Sequence, residues 1–124
     1  MKILWLSRHS PLPAQIKELK KKFGDVQIIQ YNKKVRDSQH VLELMRKYEA
    51  DEIVAVLPLS IIARLCELGI KPLYMEMELL HECKEVPCID FDIERDWIDS
   101  SSKRHYRFKS IKRIERIELV MSQL

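Results

Sequence analysis

Short unbroken apolar runs alternate with amphipathic stretches over the first two-thirds of the chain. Lys2 to Leu6 holds Ile3-Leu4-Trp5-Leu6, the continuous pattern of a strand covered on both faces. Pro13 to Phe23 puts Ile16, Leu19 and Phe23 on one face and lysines on the other, which predicts an amphipathic helix stopped by Gly24. Val26 to Tyr31 reads as a second strand. A helix carrying Val41, Leu42, Met45 and Tyr48 follows, with Asp37 or Ser38 available as its cap. Ile53 to Leu57, IVAVL, is the third strand, Ser60 to Leu68 a short helix ended by Gly69, and Pro72 to Met77 the fourth strand.

This βαβαβαβ order over residues 1–80 implies a parallel sheet with right-handed crossovers and helices on both faces. The expected fold is α/β, a Rossmann-like parallel sheet of order 2-1-3-4. Beyond it the pattern changes. Ile89, Phe91 and Ile93 alternate with Asp90, Asp92 and Glu94, a strand-like period of two. Asp96 to Ser102 has turn composition, His105 to Lys109 alternates again through Tyr106 and Phe108, and Ile111 to Met121 tilts towards strand on its isoleucines. Residues 86–124 therefore read as an antiparallel C-terminal β extension of a single domain spanning 1–124.

Composition narrows the function. With 124 residues, 46% apolar and 33% charged, the chain can bury a core, and its net charge of +3 is too small for a general nucleic-acid glove. The initial apolar run stops at Ser7-Arg8-His9, too short for a signal peptide or a membrane span, so a cytoplasmic location is expected. Three cysteines, Cys66, Cys83 and Cys88, make no disulfide framework and read as reduced thiols. The only glycines, Gly24 and Gly69, serve as helix stops, leaving no dinucleotide-binding or Walker loop.

In an open parallel sheet, ligands bind beyond the carboxyl ends of the strands where the order reverses. For order 2-1-3-4 that crevice lies between the first strand, ending in Ser7-Arg8-His9-Ser10, and the third, ending in Leu57-Pro58-Leu59-Ser60. Gln30 to Lys34, including Asn32 and Lys33, ends the second strand nearby, and Glu76 lies near the end of the fourth. A guanidinium, an imidazole and hydroxyls would meet the free N–H groups of helices starting near Pro13 and Ser60, a mouth suited to phosphate. Pro11 and Pro13 stiffen the loop. The bland alternatives are that Arg8 and His9 are solvated loop residues and that Ser60 is an N-cap.

Other constellations say less. His81-Glu82-Cys83 with Pro87-Cys88 superficially resembles the zinc deaminase signature, but its second cysteine is replaced by Phe91. Buried or incidental side chains are the preferred reading, and no metal is expected. Asp90, Asp92, Glu94, Asp96 and Asp99 look like a hard-cation cluster, but on a strand the even-numbered ones line the exposed face, which is the preferred reading. Lys103 to Arg116 carries seven Lys or Arg among His105, Tyr106 and Phe108, suiting either an RNA contact or a solvated face paired with the acidic strand.

The stretch LSRHSPLPAQIKEL after a first strand resembles the start of the small CRISPR-associated ring nucleases; its specific part is Ser7 to Gln15, and the general layout extends it to about residue 80. The resemblance implies a homodimer that binds cyclic oligoadenylate across its axis and cleaves it without cofactor or metal, a ribose 2′-hydroxyl attacking its own phosphate. Arg8 would stabilise the phosphorane, His9 would act as acid or base, and Ser7 and Ser60 would hold phosphate or ribose. Ser10, Asn32, Lys33, Pro58 and Glu76 enter as ligand contacts from geometry. A non-catalytic nucleotide sensor and a small interaction protein of mobile-element origin are the alternatives.

Overall fold

Strand β1 (Lys2–Leu6) is central because Ile3 to Leu6 are all buried, their side chains alternating between two cores. In the computed structural model, which describes residues 1–84, 88 and 90–124, Leu4 and Leu6 point to one face and Ile3 and Trp5 to the other. The first face packs with Ile53 and Ala55 of β3 (Glu52–Ala55) beneath α2 (Ser38–Tyr48) and α3 (Leu59–Glu67), which contribute Val41, Leu44 and Leu65. The second packs Val54, Leu73 and Met75 against Leu19 of α1 (Pro13–Phe23). Covered on both sides, β1 and β3 tolerate only continuous apolar runs, which is why they read clearly in the sequence.

Six strands form one mixed sheet of order β2-β1-β3-β4-β6-β5, with β2 at Gln27–Tyr31, β4 at Leu73–Glu82, β5 at Asp96–Ile98 and β6 at Arg104–Arg113. The strands β2, β1, β3 and β4 run parallel; β6 is antiparallel to β4, and β5 to β6. The order 2-1-3-4 and the antiparallel extension agree with expectation, but the sheet is strongly curled. β3 and β4 pair only through Val54 and Leu73, and the β4–β6 ladder is interrupted between Glu76 and Met77 and between Leu79 and His81. Such irregularities increase local twist.

The structure corrects several elements. β3 stops at Ala55 rather than Leu57, ahead of Pro58, which begins the turn into α3 as its N-cap. Ser60 therefore lies inside α3 and is not the cap. β4 continues past Met77 to Glu82 because β6 supplies a partner along its length. The stretch around Ile93 is no strand: the Asp92 carboxylate accepts from the Glu94 N–H and from Arg95, and Asp96 accepts from the Asp92 N–H, closing turns that compete with a ladder. Ile89 and the proposed boundary at Val86 lie outside the described residues. Asp96 to Ile98 forms β5 where turn was expected, and the turn begins at Asp99, whose carboxylate binds Ser101 and Ser102. β6 ends at Arg113; Leu119, Val120 and Met121 are exposed and unpaired within the described residues. Cys83 and Cys88 are joined as a disulfide, contrary to the expectation of reduced thiols, and only Cys66 is free. Among the described residues, no helix is long and apolar enough to cross a membrane.

Candidate functional site

The carboxyl ends of β1 and β3 lie side by side, with Leu6 opposite Ala55, and the chain then diverges into two different helices. Two clefts open there, sharing Ser7 and Val56 as a common wall. One, about 190 Å³, is lined by Arg8, Lys33 and Lys34 together with Leu6, Leu57 and Pro58. These three cations have no ion-pair partner among the described residues. Pro58 gives α3 no side-chain cap, and the first capping bonds to its carbonyl come from Ile61 and Ile62, leaving the Leu59 and Ser60 N–H groups without helical partners. An unpaired cation group at an uncapped helix start is an attractive place for a phosphate.

The second cleft, about 310 Å³, is mostly apolar, with Trp5, His9, Tyr74, Met77 and Trp97 on its walls. The imidazole of His9 lies 4.2 Å from the Trp97 ring, which stacks in turn on Tyr106. Backbone contacts hold the connecting loop. Trp5 Nε1 donates to the His9 carbonyl at 2.7 Å, the His9 N–H donates to Ser7 Oγ at 3.2 Å, and Gln30 Nε2 donates to the Ser7 carbonyl at 3.2 Å. Ser10 Oγ lies 3.4 Å from Gln30 Oε1. A flat base fits such walls, and a loop already fixed loses little entropy on binding.

The expected site residues are thus divided. Ser7, Arg8, Lys33 and Pro58 meet in the cationic cleft; Ser7, His9 and Ser10 line the aromatic one. Arg8 and His9 do not share a cleft, since neighbouring residues leaving a strand turn to opposite sides. Asn32 and Ser60 are exposed and line neither cleft. Glu76 is drawn away altogether. Lys112 Nζ at 2.8 Å and Ser110 Oγ at 2.9 Å bind its carboxylate and hold it below the usual range, with Lys109 adding attraction. Of the N–H groups expected at the start of α1, that of Ala14 turns elsewhere, donating to the Glu94 carbonyl at 2.8 Å.

Sequence reasoning missed Trp5, Tyr74 and Trp97 as cleft walls. Tryptophan and tyrosine near strand ends were the available signal, but β5 is only three residues long. In the basic segment Lys103 to Arg116, five cations are in ion pairs: Arg107 with Asp96, Lys109 and Lys112 with Glu76, Arg113 with Glu52, and Arg116 with Glu118. Away from the mouth, His81, Cys83, Cys88 and His105 each bring a donor atom to within 4.8 Å of the others, a constellation that could hold a metal although none was expected. No family model, curated protein or solved structure matches the chain.

Proposed function

We propose that the chain is a Rossmann-like binder of phosphodiester-linked nucleotides, using the cationic cleft for phosphate and the aromatic cleft for a base. The observation that carries this reading is the grouping of Arg8, Lys33 and Lys34 at the β1/β3 reversal, beside an aromatic-walled cleft that shares Ser7 and Val56. Within that class, the resemblance at Ser7 to Gln15 selects a cyclic oligoadenylate, the tetramer first, bound between two copies of the chain. A symmetric pair of mouths doubles the cations around a ring. The partly neutralised Lys103 to Arg116 segment favours the mouth over an RNA contact there.

The reaction that fits is transesterification. The ribose 2′-oxygen loses its proton and bonds to the adjacent phosphorus, the P–O5′ bond breaks, and the 5′-oxygen takes up a proton. Arg8 stabilises the charge on the phosphorane, and the cleft holds the 2′-oxygen in line. His9 reaches the phosphate only by leaving Trp97, and this packing favours a second reading, a sensor that binds the ring without opening it.

Incubation with cyclic tetraadenylate in buffer without added divalent cations, followed by mass spectrometry, tests the proposal. Linear products ending in 2′,3′-cyclic phosphate are expected. Arg8→Ala should weaken binding or turnover by about 1–3 kcal/mol, the range for a charge-assisted hydrogen bond. His9→Ala should cut turnover by roughly 10²-fold if the imidazole transfers protons. Tight binding without products moves the chain to the sensor reading, and no binding of any ring size removes both.

A further inference from the structure

We propose that the reduced chain binds one Zn²⁺ through His81, Cys83, Cys88 and His105, at the far end of the β4–β6 ladder. The placement follows from strand geometry. His81 on β4 stands directly opposite His105 on β6, so the two imidazoles rise from the same face, their centroids 5.0 Å apart. Cys83 is two residues beyond His81 and extends the same face; its N–H donates to the Lys103 carbonyl at 2.7 Å, continuing the contact between the two chain segments. Cys88 returns to place Sγ 3.8 Å from both ring nitrogens of His81. The Cys83-x₄-Cys88 interval lies within the C-x₂₋₄-C spacing of structural zinc sites.

The hydrogen bonds around the cluster point the same way. His105 is fully buried. Its Nε2 meets Asp96 Oδ2 at 2.7 Å, which fixes that nitrogen as the N–H and leaves the Nδ1 lone pair free. Nδ1 has no hydrogen-bond partner among the described residues; Asp90 Oδ1, at 3.6 Å, is too far. A buried ring nitrogen without a partner is costly, and a bound cation would satisfy it. His81 is exposed and likewise sets Nε2 on a carboxylate, that of Asp90 at 3.1 and 3.2 Å, while its Nδ1 lies 3.4 Å from the Glu82 carbonyl and both ring nitrogens face Cys88. A carboxylate behind each imidazole is the usual support of a metal-binding histidine. Arg107, bound to both Asp96 oxygens, holds that carboxylate in place.

The charges close as well. Two thiolates and two neutral imidazoles balance a divalent ion, and an S₂N₂ tetrahedral set is a zinc set. Zn–N of about 2.0–2.1 Å and Zn–S of about 2.3 Å put tetrahedral donors roughly 3.3–3.8 Å apart, close to the present cluster once the sulfurs part. In the structure the sulfurs are joined to each other. A trialkylphosphine opens them: the phosphine takes an oxygen from water, is oxidised to its oxide, and leaves two thiols. Each thiol releases one proton on binding the ion.

The experiment is titration of the phosphine-reduced full chain, under argon, with Co²⁺ and then Zn²⁺. One Co²⁺ per chain is expected, with the intense visible bands of a tetrahedral site and a thiolate-to-cobalt charge-transfer band, all bleached by one equivalent of Zn²⁺. Cys88→Ser, at a half-buried position, should weaken the charge-transfer band. Asp96→Asn should weaken Zn²⁺ binding by roughly 10–100-fold, the range for losing a supporting carboxylate. If reduction unfolds the chain, Zn²⁺ should restore its circular dichroism. A reduced, folded chain that takes up neither ion overturns the proposal. So does an unfolded one that Zn²⁺ does not rescue, or a cobalt spectrum unchanged by Cys88→Ser.

Discussion

Replacing Asp96 by alanine should be among the most damaging single changes outside the apolar cores. Its side chain is wholly buried and accepts four hydrogen bonds: Arg107 Nε at 2.7 Å and Nη2 at 2.9 Å, His105 Nε2 at 2.7 Å, and the Asp92 N–H at 2.9 Å. One carboxylate thus ties β5, β6 and the turn before β5 together. Removing one partner of a buried charge pair costs about 3–5 kcal/mol. The Arg107 side chain is 26% exposed and regains some water, which puts Asp96→Ala near the lower end, about 3 kcal/mol. For a chain of this length that corresponds to a fall in Tm of roughly 10 °C. Asp96→Asn keeps an acceptor but loses the charge, and should cost about 1.5–2 kcal/mol. Urea denaturation, with the Cys83–Cys88 pair in the same state in all proteins, measures both. A loss below about 1 kcal/mol for Asp96→Ala would refute the view that this carboxylate holds the edge of the sheet.

The same group sets a pH dependence. Burial pushes the Asp96 carboxyl up, but Arg107, the Asp92 N–H and His105 pull it further down, so its folded pKa lies well below the ordinary value. Its contribution is complete above about pH 4 and is lost as pH falls through the folded value, so the urea midpoint should drop more steeply below pH 4 in the native protein than in Asp96→Asn. Leu4→Ala, at a fully buried position between β2 and β3, should cost about 2–5 kcal/mol by the cavity it leaves, read by thermal unfolding. Glu76→Gln should leave affinity for cyclic tetraadenylate unchanged, because its carboxylate is engaged by β6 and not by the mouth; a loss above about threefold by calorimetry would return Glu76 to the site. Affinity for the ring should fall with salt, and Arg8→Ala or Lys33→Ala should each reduce the log–log slope by about 0.7, the single-strand value per phosphate contact.

How much of this was legible depends on what fixes each element. α1 was readable to its ends because Ile16, Leu19 and Phe23 form a single stripe with Gly24 behind it at φ 77°, a conformation favouring glycine. α2 was readable from Asp37, whose carboxylate does accept the His40 N–H. The reversal between β1 and β3 followed from their apolar runs. The antiparallel extension and its strand through His105 to Lys109 were readable, but the bounds of its strands were not, because they answer to partners distant in sequence. Asp96-Trp97-Ile98 carries turn composition, yet pairing with His105 to Arg107 makes it a strand. Glu76 reads as a mouth residue only if β4 ends at Met77; opposite Ser110 it belongs to the ladder. The separation of Arg8 from His9 was implicit in the alternation of a strand, but the loop beyond Leu6 hid it. His81 and Cys83 were noticed in sequence, whereas His105 could join them only through the β4–β6 register.

The claim that the β1/β3 mouth receives the ligand is tested most directly by amide chemical-shift mapping of the full chain during titration with cyclic tetraadenylate. The account expects saturable shifts concentrated at Ser7 to Ser10, Asn32 to Val35, Val56 to Ser60 and the Trp97 indole, all lost in Arg8→Ala with Lys33→Ala. Shifts confined to Lys103 to Arg116, or none at saturating ligand, would contradict it.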